Sequence, residues 1–557
     1  MLAALPIWLY IFLILTVYGY TTILLLSRAF GFNNLERVSW PILILLGLST
    51  VNFLSAFLSL FLPLGLIANL IILLGAVLFS AQAIRFVRTA FTIRAETNSI
   101  ISKLGILVLS LAFLLILENA THAPSNPDTD LYHAQAIRWI ETYRVVPGLG
   151  NLHTRLAFNS NWLAVNALFS FSFLDFQSFH LLPGALFLLV ILYFSSGFAD
   201  FTHRSLRLSS LIKIFFLPVT FHIWASEISS PGTDMPASLL VWVTLTLWIE
   251  AQEKDKQIYK FICLLLAITA FTFKLSAFPL LLLPLYEWLK ILFSGSTKTA
   301  ARMALMVIIC IAPWLVRNFI TSGYWLYPVP AMIPISPSVD WSIPPSTVYF
   351  ELGGTQGWAR YFTLKGAEEA TSFLGWVPFW LSKHTLIQRV IILTSGILLP
   401  FAGLITIFKQ RTLSEVYICT YAGILFWFFS VPNIRFGYGF LIMAMMLVLL
   451  PILMFILKRV QLQPLSFVVG VQFVLTFYLV TMLVISFDSS NFKQRIFLPE
   501  DYHTFPTVRC ELANAVIQCA EKYRLCSYYA FPCAVKGNPL VELRGDDWQD
   551  GFRIRQP

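Results

Sequence analysis

The sequence predicts an all-α integral membrane protein of about 14 transmembrane helices, ending in a small polar tail outside the membrane. Three observations carry that prediction. Mean hydropathy is +0.76. Charged residues make up 12% of the chain, against about a quarter in soluble globular proteins. Many apolar runs approach the ~20 residues needed to cross a ~30 Å hydrocarbon core.

In chain order the runs fall at 6–26, 41–62, 66–84, 104–120, 179–199, 211–225 and 235–250. They continue at 261–275, 277–292, 303–319, 385–408, 413–430, 437–457 and 465–486. Two of them, 211–225 and 261–275, are short, so the expected count is 13–14. The first run has no basic residue before it and no small-residue cleavage site, which reads as an anchor rather than a signal peptide. Residues 1–103 form an N-terminal group of helices, 104–486 a membrane domain with large loops at 121–161 and 320–384, and 487–557 the tail.

Orientation follows from lysine and arginine in the connections, which collect on the cytoplasmic side. Nineteen of them fall in short connections at 28–37, 85–103, 204–213, 254–260, 290–302, 409–411 and 458–459. The longer connections on the other side hold fewer. Both termini are therefore expected outside a bacterial cytoplasmic (inner) membrane. The net charge of +10 is assigned to these loops. No basic motif with interleaved aromatics appears, so nucleic acid is not an expected partner and the lipid bilayer is.

The cysteines agree with that orientation. Cys263, Cys310 and Cys419 lie in apolar runs, whereas Cys510, Cys519, Cys526 and Cys533 cluster in the tail. Disulfides persist in oxidising compartments, and no C-x-x-C knuckle favours zinc instead. Cys526 and Cys533 bracket a turn-like segment and are expected to pair, leaving Cys510 with Cys519.

The long polar loop holds the first candidate site. Asp128-Thr129-Asp130 follows Pro124 and Pro127 and opens an amphipathic segment with Leu131, Ala134, Ile137 and Ile140 at helical spacing. Capping accounts for such carboxylates at a helix start. With Tyr132 and His133 beside them, they also suit a general base or a divalent cation, Mg or Mn, bound through Asp128, Asp130 and Asp234. Asp234 ends a second polar patch, Ser229–Asp234. Lys274, Arg317 and Arg435 sit at span ends on the same predicted side. Snorkelling explains span-end cations singly; three together suit a lipid phosphate. Trp325, Trp341, Trp358, Trp376 and Trp380 in the loop 320–384 fit either an interfacial belt or a sugar-stacking platform.

With these pieces in place, the chain resembles the multi-spanning GT-C-type glycosyltransferases. The resemblance rests on Asp128-x-Asp130-x-Tyr132-His133, the helix through Trp139, and the polar stretch Phe158-Asn159-Ser160-Asn161-Trp162. It is more closely similar to a bacterial family of uncharacterised membrane proteins. The shared motifs there are the same Asp128-x-Asp130-x-Tyr132-His133 loop, Lys274–Ala277, Arg317–Tyr324, and a tail with Cys526–Cys533, Leu543-Arg544-Gly545 and Gly551-Phe552-Arg553.

What the GT-C resemblance implies is a GT-C-like fold and an inverting transfer of sugar from a polyprenyl-phosphate donor. The acceptor would be an envelope glycan, lipid or protein on the extracytoplasmic face. Asp130 or Asp128 would be the base. His133, Tyr132, Lys274, Arg317, Arg435, Asn159 and Asn161 would bind substrate. A transporter or flippase of lipid-linked glycans, or a non-catalytic assembly partner, is the alternative.

The orientation has a direct test. A reporter fused after Pro557 is expected to be active as periplasmic alkaline phosphatase and silent as cytoplasmic GFP. The opposite pattern would overturn the assignment of sides.

Overall fold

The computed structural model describes residues 1–32, 38–90, 100–202, 207–362, 374–409, 413–460, 464–487, 491–521 and 525–555. Arg37, Arg94, Arg204 and Arg411, counted above among the basic connections, lie outside these residues, as does 363–373 of the second large loop. The chain is mostly helical, and each predicted apolar run falls on a helix.

Ten helices among the described residues, not fourteen, are long and apolar enough to cross a membrane. Three predicted spans fall short for physical reasons. Gln257–Phe273 and Ser414–Ser430 are 17 residues each, whereas the helix at 66–84 runs from Leu66 to Ala90. The third, Asp234–Glu253, begins on Asp234, ends in Glu250 and Glu253, and carries two threonines in its middle, which lowers its mean hydropathy. The doubtful run 211–225 does qualify, as Leu208–Glu227.

Packing is closest between the first two helices. A Cβ on Gly19 would lie 1.9 Å from the Leu43 carbonyl oxygen, and one on Gly47 would lie 1.8 Å from that of Leu15. Backbone contact of this kind substitutes for the hydrophobic drive that lipid cannot supply between helices.

Charges inside the bundle are paired. Lys213 meets Glu250 at 2.7 Å, and Lys260 meets Glu287 at 3.0 Å. Both lysines were counted as loop cations, and both are buried. These pairs sit at the far ends of the helices that present Asp234 and Lys274 to the site described below.

The tail is not α-helical throughout, which corrects the all-α expectation. It holds five short strands: β1 Thr507–Glu511, β2 Val516–Ala520, β3 Cys533–Ala534, β4 Val541–Leu543 and β5 Phe552–Ile554. β1 and β2 form an antiparallel pair with Val508 opposite Cys519, β3 joins β2 in parallel, and β4 pairs antiparallel with β5. The expected disulfides are present, Cys510–Cys519 within the first hairpin and Cys526–Cys533 closing a loop into β3. Cys263 and Cys419 are buried and Cys310 half-buried, all as free thiols.

Small loops closed by disulfides constrain an unfolded chain modestly. Replacing Cys526 and Cys533 by serine is expected to destabilise the tail by about 2–3 kcal/mol. Non-reducing peptide mapping should recover both pairs, and four free tail thiols would contradict it.

Candidate functional site

Proline and polar residues after the helix Ile100–Ala120 stop it and turn the chain back over one end of the bundle. Two predicted patches are stitched together there. Ser230 Oγ accepts from the amides of Ser125 and Asn126, both at 2.9 Å, and Asn126 donates to Glu227 at 2.7 Å. Asn126 Oδ1 in turn accepts from the Asp128 amide at 2.8 Å. Asp128 is thereby fixed at the head of a single π-turn, Thr129–His133, that runs into the helix Ala134–Thr142. The Asp128 carboxylate does not cap this turn.

The turn and four helix ends enclose a cavity of about 560 Å³. Asp128, Tyr132, His133, Arg155, Asn159, Asp234, Lys274, Arg317 and Arg435 all line it, with an apolar wall that includes Trp358, Phe426, Trp427 and Phe436. The charges form one network. Arg435 lies 3.3 Å from Asp128 and 3.6 Å from Asp234, joining the loop to the start of the helix Asp234–Glu253. Asp234 also pairs with Lys274. Arg155 reaches Asp128 at 3.5 Å and Glu351 at 3.6 Å.

Arg317 is different. It projects from the last turns of the helix Thr297–Ser322, and its Nε donates to Asn159 Oδ1 at 2.8 Å. Asn159 is held in the left-handed region at φ 44° and also bonds the backbone and indole of Trp314. Arg317 Nη1 is buried without an acceptor. Among the described residues the buried lysines and arginines are Lys213, Lys260, Arg317 and Arg495. The other three have a glutamate partner at 2.7–3.0 Å, whereas Arg317 has no carboxylate within 4.0 Å among the described residues. A buried charge without a counter-charge is costly, by several kcal/mol.

The remaining predicted residues divide. His133 is buried on the cavity wall with neither ring nitrogen bonded. Burial pushes its imidazole down to about 4, against the pull of Asp128. Burial also opposes ionisation of Asp128, yet the charges around it hold its carboxyl below the usual range. That pull comes first from His133, which takes up a proton in the acid range where the carboxyl titrates, and then from Arg435, Arg155 and Lys274. Burial keeps the Tyr132 phenol protonated well past its ordinary range.

Asn161 does not reach the cavity; its amide bonds the backbone of Asn52 at 2.6 Å. Asp130 does not reach it either. Its carboxylate takes Ser527 Oγ at 2.9 Å and His503 Nδ1 at 3.0 Å, both from the tail. The three carboxylates proposed as metal ligands therefore do not converge. Among the described residues no three His, Cys, Asp or Glu side chains are placed to share a metal ion.

Two site residues escaped the sequence reading, Arg155 and Glu351. Arg155 had a signal, a lone cation in the polar stretch just before Asn159. Glu351 sits in the tryptophan-rich loop, where nothing local marks it.

Fold and site together define a multi-span membrane protein with a charged, apolar-walled cavity at one end of its bundle. A family model described as a domain of unknown function, DUF8201, matches residues 1–442, and the chain belongs to that family. The match includes every charged residue of the cavity network and stops short of the tail. No curated protein and no solved structure matches the chain.

His133 gives the site a pH signature. A folded pKa of about 4 against an ordinary 6.5 means the unfolded chain binds more protons between those values, so stability falls as pH drops through that window. Replacing His133 by glutamine should flatten the decline in unfolding free energy between pH 6.5 and 4, by up to ~3 kcal/mol. His153, lowered to about 4 by the same cause, keeps part of the slope. An unchanged slope in His133→Gln would show that the imidazole is not buried neutral.

Proposed function

We propose that this protein is a membrane glycosyltransferase. It would move a sugar from a polyprenyl-phosphate-linked donor to an envelope glycan, lipid or protein acceptor on the extracytoplasmic face. The observation that carries the reading is the composition of one cavity wall. A half-buried carboxylate, Asp128, and a buried guanidinium without a counter-ion, Arg317, share it with an aromatic surface.

In this mechanism the acceptor hydroxyl gives its proton to Asp128 while its oxygen attacks the anomeric carbon. The carbon–oxygen bond to phosphate breaks, and its electron pair stays on the lipid phosphate. Arg317, helped by Lys274 and Arg435, meets the charge that develops there, where fixed cations act most strongly. Attack opposite the leaving group inverts the anomeric centre. The apolar wall takes the start of the prenyl chain. Asp128 is preferred to Asp130 as base because only Asp128 lines the cavity.

A flippase reading has one observation on its side, the buried pairs Lys213–Glu250 and Lys260–Glu287, since ionisable groups within spans often mark transport paths. Those pairs are mutually satisfied and lie a helix length from the cavity, so they read as structural.

Purified protein given a labelled polyprenyl-phosphate sugar and an acceptor extract should form labelled product. Asp128→Asn should lower turnover by about 10²–10⁴-fold. Arg317→Met should reduce it as well, more in kcat than in KM. EDTA should leave the wild type active. Full activity in Asp128→Asn would remove the carboxylate from the chemistry.

A further inference from the structure

The helix Ala134–Thr142 and the π-turn before it have two working faces. Tyr132, His133, Ala136, Trp139, Ile140 and Tyr143 face the cavity. Asp130, Gln135, Arg138 and Glu141 face the tail, and every one of them is bonded to it. Gln135 donates to the carbonyls of Ser527 and Ala530 at 2.8 and 2.6 Å. Arg138 donates to Tyr528 Oη at 3.0 Å, and Tyr528 Oη donates to Glu141 at 2.5 Å.

Asp130 is the centre of this contact. Its backbone carbonyl accepts from the consecutive amides of Cys526 and Ser527 at 3.2 and 2.8 Å. Ser527 is held at φ 50°, a left-handed conformation that a serine seldom adopts unless its surroundings impose it. Converging N–H groups of this sort form a small concave cradle for an oxygen atom. The Asp130 side chain then fills the same cradle, with Ser527 Oγ on one oxygen and His503 Nδ1 on the other. The Cys526–Cys533 bond closes the loop that supplies these groups. Both sulfur-bearing residues are buried, so the closure is built to last rather than to cycle.

We propose that the loop Cys526–Cys533 is a clamp for the acidic turn, and that Asp130 is a positioning residue that sets Asp128 on the cavity wall. The inference rests on the transferase reading for the role of Asp128. It predicts that the tail, although beyond the family match, completes the site. It also explains two carboxylates at i, i+2 without a metal: one faces the chemistry and the other is the joint that holds the turn.

The test uses full-length protein in detergent or nanodiscs. Hydrogen exchange over Thr129–Thr142 should accelerate by about tenfold or more in Cys526→Ser/Cys533→Ser and in Ser527→Ala. It should change less than about twofold in Cys510→Ser/Cys519→Ser, whose bond lies in the β1–β2 hairpin. In the transfer assay Asp130→Asn, which keeps an acceptor for Ser527, should retain kcat within about threefold, while Asp130→Ala loses tenfold or more at nearly constant KM. Unchanged exchange in both loop variants would overturn the clamp. A loss of 10² or more in Asp130→Asn, with exchange unaltered, would make Asp130 catalytic and overturn its positioning role. If the wild type transfers no sugar, the transferase reading fails and the exchange arm still decides the clamp.

Discussion

The guanidinium of Arg435 holds the site together. It lies between Asp128, on a loop that follows the fourth helix, and Asp234, at the start of a helix more than a hundred residues later. Neither carboxylate could sit at that depth alone, because a charge taken from water must meet another charge or stay neutral. Lys274 completes Asp234, and Arg155 completes Asp128 while tying in Glu351. Three cations thus balance three carboxylates, each held by more than one partner or shared between two elements. Removing Arg155 would strand Glu351 and removing Asp234 would strand Lys274, so the network ties loop and helix ends to one another.

Against that balance Arg317 stands as surplus charge. Asn159 orients it by accepting from Nε, which leaves Nη1 without an acceptor. Asn159 manages this only from a left-handed backbone, pinned by its bonds to Trp314. Strain of about 1–3 kcal/mol is maintained where surrounding contacts over-determine it. The same logic places Ser527 at φ 50° under Asp130. Two strained residues therefore flank the π-turn region, one orienting a cation toward the cavity and one gripping the turn from behind.

Much of this was legible in the sequence, but not its handedness. The polar loop, the helix after it, the cationic span ends and the tail disulfides follow from composition and spacing. The count of membrane spans exceeded the structure because an apolar run of 17 residues and one of 20 look alike until helix boundaries are known. The strands of the tail carry little alternation to announce them; β1 and β4 are five and three residues. Asp130 shows the deeper reason. On a helical turn, residues two apart point to nearly opposite sides, so a D-x-D spacing already separates its carboxylates. Which of the two faces the cavity depends on what covers the other, and that cover comes from Ser527 and His503, over 370 residues away. Local periodicity holds no record of such a contact. Arg155 and Glu351 escaped for the same reason, being partners only in three dimensions.

The arrangement of charge also bears on how the proposed reaction would run. A lipid-phosphate-linked sugar is a phosphodiester with one negative charge, and its departure leaves a monoester approaching two. A cavity lined only with balanced pairs would gain nothing as that second charge appears. One held only by unpaired cations would bind the product more tightly than the donor and release it slowly. In the proposed reaction Arg317, with no carboxylate of its own, would meet the growing charge directly, while Lys274 and Arg435 would loosen from Asp234 and Asp128 as it develops. The cations shared with carboxylates then act as a reserve, and stabilisation grows with the charge on the leaving group, which is the differential that lowers a barrier. Proton uptake by Asp128 works in the same direction. As its carboxylate is neutralised by the acceptor's proton, Arg435 loses one of its two partners and its charge becomes available to the departing phosphate. In the proposed reaction, deprotonation of the acceptor and stabilisation of the leaving group would thereby be coupled through a single guanidinium.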